Sequence, residues 1–113
     1  MANKIIATRL FSQVVKRFVK KFKTLDEDVL ELRERLMENP TLGTSLGGGL
    51  FKIRLGTKSK GGSKSGGFRV ITDLVQETEE GTDVYLVTMY DKSEEDSIDK
   101  SDLLALVKRH ITG

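Results

Sequence analysis

Leu50-Phe51-Lys52-Ile53-Arg54-Leu55, followed after a glycine-, serine- and lysine-rich stretch by Phe68-Arg69-Val70-Ile71-Thr72-Asp73-Leu74-Val75, is the part of the sequence that decides the fold. Both runs are rich in β-branched and aromatic residues, have lengths typical of strands, and are bounded by turn-forming residues. Side chains alternate across a strand, so Phe51, Ile53 and Leu55 fall on one face while Lys52 and Arg54 fall together on the other. A third run, Val84–Tyr90, has the same character. The acidic gap Gln76–Asp83 before it contains Gly81 and predicts a simple antiparallel hairpin.

Upstream the periodicity changes from two to about 3.6. Phe11, Val14, Val15, Phe18, Phe22 and Leu25 recur at helical spacing, with Lys16, Arg17, Lys20, Lys21 and Lys23 mostly between them, which predicts an amphipathic helix with a basic outer face. A short strand can precede it at Lys4–Ala7. Thr24-Leu25-Asp26-Glu27 fits a capping box, and a second helix with the stripe Val29, Leu32 and Leu36 runs from there to about Met37 before Asn39-Pro40 stops it. Two helices joined by so short a link form a hairpin. Downstream of the strands, Asp99 reads as the cap of a last helix with Leu103, Leu104, Val107 and Ile111 on its inner side. The order is therefore helix, helix, three strands, helix.

Composition narrows the function. A chain of 113 residues, 37% of them hydrophobic, has material for one core, so one domain over residues 1–113 is expected. No cysteine is present, which removes disulfides and thiolate zinc sites. Short apolar runs and a polar N-terminus suggest neither a membrane span nor a signal peptide, and the cytoplasm is the expected location. Net charge is only +2, yet the charges are sorted: residues 1–25 hold seven basic residues and no acid, and residues 39–72 hold six basic residues and no acid. Residues 73–102, by contrast, hold eleven acids against Lys92 and Lys100. Such sorting allows a local positive field of the kind that recruits a polyanion.

Several chemistries fail on inspection. A P-loop needs a lysine after its second glycine, and Gly56-Thr-Lys-Ser-Lys-Gly61 is followed by Gly62. No long helix follows these glycines, as a dinucleotide fold requires. His110 is the only histidine, which leaves a metal site or a Ser-His-Asp triad without partners. What remains is cationic. Lys52 and Arg54 share one strand face, Arg69 opens the next strand and joins them if the strands pair, and Lys58, Lys60 and Lys64 on the intervening loop extend the field. A strand-borne guanidinium can grip phosphate oxygens bidentately, whereas loop lysines act as mobile point charges.

At these residues the sequence resembles the RelE/HigB toxins of bacterial toxin–antitoxin pairs, within the wider RelE/ParE superfamily. The resemblance runs over about residues 40–107, through Leu46-Gly-Gly-Gly-Leu-Phe-Lys-Ile-Arg-Leu55, Lys64-Ser-Gly-Gly-Phe-Arg-Val-Ile71, and Val84-Tyr-Leu-Val-Thr-Met-Tyr-Asp-Lys-Ser-Glu-Glu95. It implies an α+β domain in which the helical hairpin packs on a small twisted, mostly antiparallel sheet, with the C-terminal helix beside it. It also implies a cytoplasmic, cofactor-free and metal-independent endoribonuclease that cuts messenger RNA, commonly in the ribosomal A site, and a neutralising antitoxin of helix-turn-helix type. Carried over by position, Lys52 and Arg54 resemble the family's paired basic residues, Arg69 its phosphate-gripping arginine, Lys92 a further cation, and Tyr90 a residue near the chemistry. Some members carry a C-terminal catalytic tyrosine; here Ile98 stands nearest that position. The competing expectations are a ParE-like inhibitor of DNA gyrase and a relative that only binds RNA or an antitoxin.

Overall fold

The computed structural model describes residues 3–56, 67–78 and 81–91. Its elements are β1 (Lys4–Ala7), α1 (Arg9–Val19), α2 (Leu25–Glu38), β2 (Thr44–Gly47), β3 (Leu50–Leu55), β4 (Phe68–Thr78) and β5 (Gly81–Asp91). The strands form one five-stranded sheet in the order β1-β5-β4-β3-β2. The β1–β5 pair is parallel and the other three are antiparallel, so the sheet is mixed and the fold is α+β. The helix expected from Asp99 lies outside the described residues. No helix among the described residues is long and apolar enough to cross a membrane.

Two helical expectations need correction. The first helix ends at Val19, short of Phe22 and Leu25. Turn bonds continue beyond it, from the Phe22 N–H to the Phe18 carbonyl at 2.8 Å and from the Leu25 N–H to the Phe22 carbonyl at 3.0 Å. These tight turns hold Phe22 and Leu25 at nearly helical spacing, and both are buried in the same core as Phe11 and Phe18. The capping box at Thr24 does not form either. Its hydroxyl lies 3.3 Å from the Asp28 carboxylate and makes no cap bond to the helix backbone. The start of α2 is still favoured by Asp26, Glu27 and Asp28, which complement the helix dipole.

α1 carries the real cap. The Thr8 Oγ1 accepts from the Phe11 N–H at 3.1 Å, satisfying one of the donors a helix start leaves free. α2 in turn closes the sheet edge at β1: Arg33 Nη2 donates to the Ile5 carbonyl at 3.0 Å, and Asn3 Nδ2 donates to the Met37 carbonyl at 2.7 Å. An exposed edge is open to unwanted pairing, and the Arg33 bond occupies one of its carbonyls.

β2 is an addition to the three strands that the sequence predicts after the helices. It joins β3 through Gly48 and Gly49, whose φ angles of 64° and 87° suit the two central positions of a type I′ hairpin turn. Gly67, at the mouth of β4, is tight in a different way: a Cβ there would sit 2.4 Å from the Leu55 carbonyl oxygen, so β3 and β4 can close at this end only around a glycine.

The sheet buries both faces. Toward α1 and α2 lie Ile53, Leu55, Phe68, Val70, Leu86 and Met89, packed with Phe11, Phe18, Phe22, Leu25, Leu32 and Leu36. Phe18, Phe22 and Phe68 form an aromatic cluster with ring centroids 5.0–6.5 Å apart. On the far face a smaller cluster holds Leu50, Ile71, Val87 and Tyr90.

Candidate functional site

The far face is where the strand cations meet. β3 and β4 pair so that Arg54 stands opposite Arg69 and Lys52 opposite Ile71. β4 and β5 continue both rows, with Arg69 opposite Tyr90 and Ile71 opposite Thr88. Residues directly opposite in an antiparallel pair share a face, with Cβ atoms about 5 Å apart. Lys52, Arg54, Arg69 and Tyr90 therefore occupy adjacent positions on one surface, while Ile53, Leu55, Phe68 and Val70 turn to the helices.

Tyr90 reaches this face only because β5 is irregular. Unbroken alternation would put Val84, Leu86, Thr88 and Tyr90 on one side. The ladder shifts register between Ile71 and Thr72, whose partners are Thr88 and Leu86, so Val87 is an extra residue on β5. Leu86 and Met89 consequently face the helices, and Val87 and Tyr90 face away. A bulge leaves backbone groups unpaired. Thr8 supplies the missing partner, its hydroxyl donating to the Val87 carbonyl at 2.9 Å and its N–H to the Leu86 carbonyl at 3.1 Å. One threonine thus caps α1 and secures the bulge that aims Tyr90.

The residues of this row differ in exposure. Arg54 is exposed and Lys52 half-buried, whereas Arg69 and Tyr90 keep only 5% and 6% of their surface open. Arg69 Nη1 also donates to the Phe68 carbonyl at 3.3 Å. The arginine row borders the apolar floor of Leu50, Ile71 and Val87, where charge–charge interactions are screened less than in open water. A phosphate approaching this surface would meet Arg54 and Lys52 first, since Arg69 on the neighbouring strand is almost wholly covered. Lys58, Lys60, Lys64 and Lys92, the other cations expected at the site, lie outside the described residues, as does His110.

Asp73 carries no signal in the sequence that marks it as buried. It stands opposite Leu50 and Tyr85 on the same face, two residue pairs from the arginine row's nearest apolar neighbours. Only 7% of it is exposed, and burial raises its carboxyl above the usual value of 3.8. Four residues along a strand span roughly 13 Å, so it is too distant to share a phosphate with Arg69. A cavity of about 330 Å³ lies elsewhere again, between β1, α1 and α2, with Phe11, Val15, Val19 and Val29 on its walls.

Comparison with known proteins gives one result. The family model described as the RelE toxin of the RelE/RelB toxin–antitoxin system matches residues 4–110, almost the whole chain. Among curated proteins, none matches.

Proposed function

Because the chain belongs to the RelE toxin family, and is on that ground a toxin of a toxin–antitoxin system with a cognate antitoxin as its partner, we propose that it is a metal-independent endoribonuclease that cuts messenger RNA on the ribosome and so stops translation in the cytoplasm. The observation that carries this reading is the row Arg54–Arg69–Tyr90 with Lys52 beside it, on the sheet face away from the helices. A protein whose action is to occlude another protein has no need of such a row; a phosphate does.

The reaction that fits is transesterification. The ribose 2′-oxygen attacks the adjacent phosphorus, a P–O2′ bond forms, the P–O5′ bond breaks, and the products are a 2′,3′-cyclic phosphate and a free 5′-hydroxyl. One proton leaves the 2′-hydroxyl and one reaches the departing 5′-oxygen. Arg54 and Arg69 stay charged throughout, so their part is to hold the phosphate and stabilise the extra negative charge of the transition state. The two proton transfers fall to Lys52 and Tyr90, the members of the row able to give up and regain a proton. Lys92 adds a further cation, and Lys58, Lys60 and Lys64 guide the transcript toward the sheet. The antitoxin is expected to be a helix-turn-helix protein encoded beside the toxin.

Incubating the protein with programmed ribosomes and, separately, with DNA gyrase tests the reading. Cuts in the transcript with gyrase unaffected are expected. Intact transcripts and a poisoned gyrase would replace it with the ParE-like alternative; no effect in either assay would leave a relative that only binds.

A further inference from the structure

We infer that the exposed basic side of α1 and the turn after it is a second RNA-backbone surface, continuous around one end of the sheet with the Arg54–Arg69 row. The inference rests on the nuclease reading for the identity of the strand, but it comes from separate observations.

Between Arg9 and Lys23 the chain carries six cations, Arg9, Lys16, Arg17, Lys20, Lys21 and Lys23, and no acid. All six are exposed. Among the described residues none of them is held in an ion pair with a carboxylate. Arg9, Lys16 and Lys20 lie along the helix side opposite Phe11 and Phe18, spread over about 17 Å of axis. Two of the cations are further fixed by aromatic contacts: the Arg17 guanidinium lies 4.9 Å from the Phe18 ring centre and the Lys21 ammonium 5.4 Å from that of Phe22. Those same rings pack on Phe68 at 5.0 and 5.3 Å. Phe68 pairs with Leu55, next to Arg69 and Arg54 in the chain. The basic end of α1 and the arginine row therefore flank one end of the sheet, on opposite faces.

The chemistry of the strip favours a polyphosphate over other anionic partners. The apolar side chains of α1 are turned into the core, Phe11 and Phe18 fully and Val14, Val15 and Val19 in part. A membrane surface or an acidic protein would need apolar groups to insert or to anchor; the cavity beside Lys16 has apolar walls, but at the far end of the strip Lys20, Lys21 and Lys23 are exposed around a buried Phe22 and offer none. A nucleic-acid backbone requires charge alone. Placed here, Lys20, Lys21 and Lys23 would hold the nucleotides flanking the scissile bond after the strand has rounded the sheet end.

The test uses the full chain and its Lys20→Ala/Lys23→Ala variant, which touches neither aromatic contact nor the far face. The probes are 2′-O-methylated polyuridine, which cannot be cut, and a 2′-O-methylated uridine trinucleotide, long enough only for the sheet. The variant should lose about tenfold in affinity for the polymer, and its slope of log affinity against log salt should shrink by about 1.4, two contacts at about 0.7 each. Trinucleotide binding should not change, and Lys20→Arg/Lys23→Arg should bind the polymer as the parent does. Equal affinity and slope for parent and variant would overturn the inference. So would retained polyuridine binding with lost binding to polyglutamate, which would assign the strip to an acidic protein. The two levels separate: a parent protein that cuts no transcript yet shows the lysine-dependent slope keeps this surface and loses the enzyme, and transcript cutting with an unaltered slope does the reverse.

Discussion

Arg54 and Arg69 stand directly opposite one another on β3 and β4. Like charges in this position work against the pairing of two strands, yet here one of the pair is buried to 5% exposure and the row continues into Tyr90. A fold under selection for stability alone would place a threonine or an opposite charge at one of the two positions. Arg54, the exposed member of the pair, is the one that can turn to a ligand.

Arg54→Thr should therefore stabilise the fold and impair its action. Relief of the like-charge pair is expected to raise the free energy of unfolding by about 0.2–1 kcal/mol, while transcript cleavage falls at least roughly tenfold, equivalent to about 1.4 kcal/mol of transition-state stabilisation. Urea unfolding and a ribosome cleavage assay on the same preparation check both. A variant that is less stable and equally active would mean that Arg54 serves the sheet and not a ligand.

Thr8 is a second point of leverage because it serves two elements. Thr8→Val removes the α1 cap and the bond to the Val87 carbonyl together. A loss of about 1–3 kcal/mol in unfolding free energy is expected, the range for a lost cap plus an unsatisfied buried carbonyl. Cleavage should fall as well, since Tyr90 depends on the bulge, and Thr8→Ser should restore both. Full activity in a destabilised Thr8→Val protein would uncouple the bulge from the site.

These two residues also show where sequence reading stops. The β-branched runs identified β3, β4 and β5, and simple alternation separated Lys52 and Arg54 from Ile53 and Leu55, as the structure has it. Alternation could not assign Tyr90, because the extra residue at Val87 is fixed by pairing with β4 and by Thr8, neither of which is local in sequence. Nor could it align Arg69 with Arg54, since a long connection imposes no register. β2 escaped notice because Thr44–Gly47 has no apolar alternation, although the Gly48-Gly49 pair is a hairpin signal in its own right. The helical spacing of Phe22 and Leu25 overstates the length of α1, because it persists through a turn that is no longer helix.

Asp73 predicts a pH dependence of definite sign. Its carboxyl is raised by burial, so the folded state prefers the protonated form. The associated stability is complete below the unfolded value near 3.8 and is lost as pH rises through the folded value. Asp73→Asn should thus be more stable than the parent at pH 7, with the difference shrinking to nothing as pH is lowered toward 3.8. Paired unfolding curves across that range decide it; a variant less stable at neutral pH would show that the charge is compensated.

The central claim is that Arg54 and Arg69 act on one phosphate, and a double-mutant cycle measures that most directly. Transcript cleavage on programmed ribosomes is compared for the parent, Arg54→Ala, Arg69→Ala and the double variant, each checked for folding. If the two guanidiniums share a phosphate, the double variant should lose less than the product of the single losses, with a coupling of about 0.5–3 kcal/mol. Losses that simply multiply, or single variants that cut as well as the parent, would contradict the shared site.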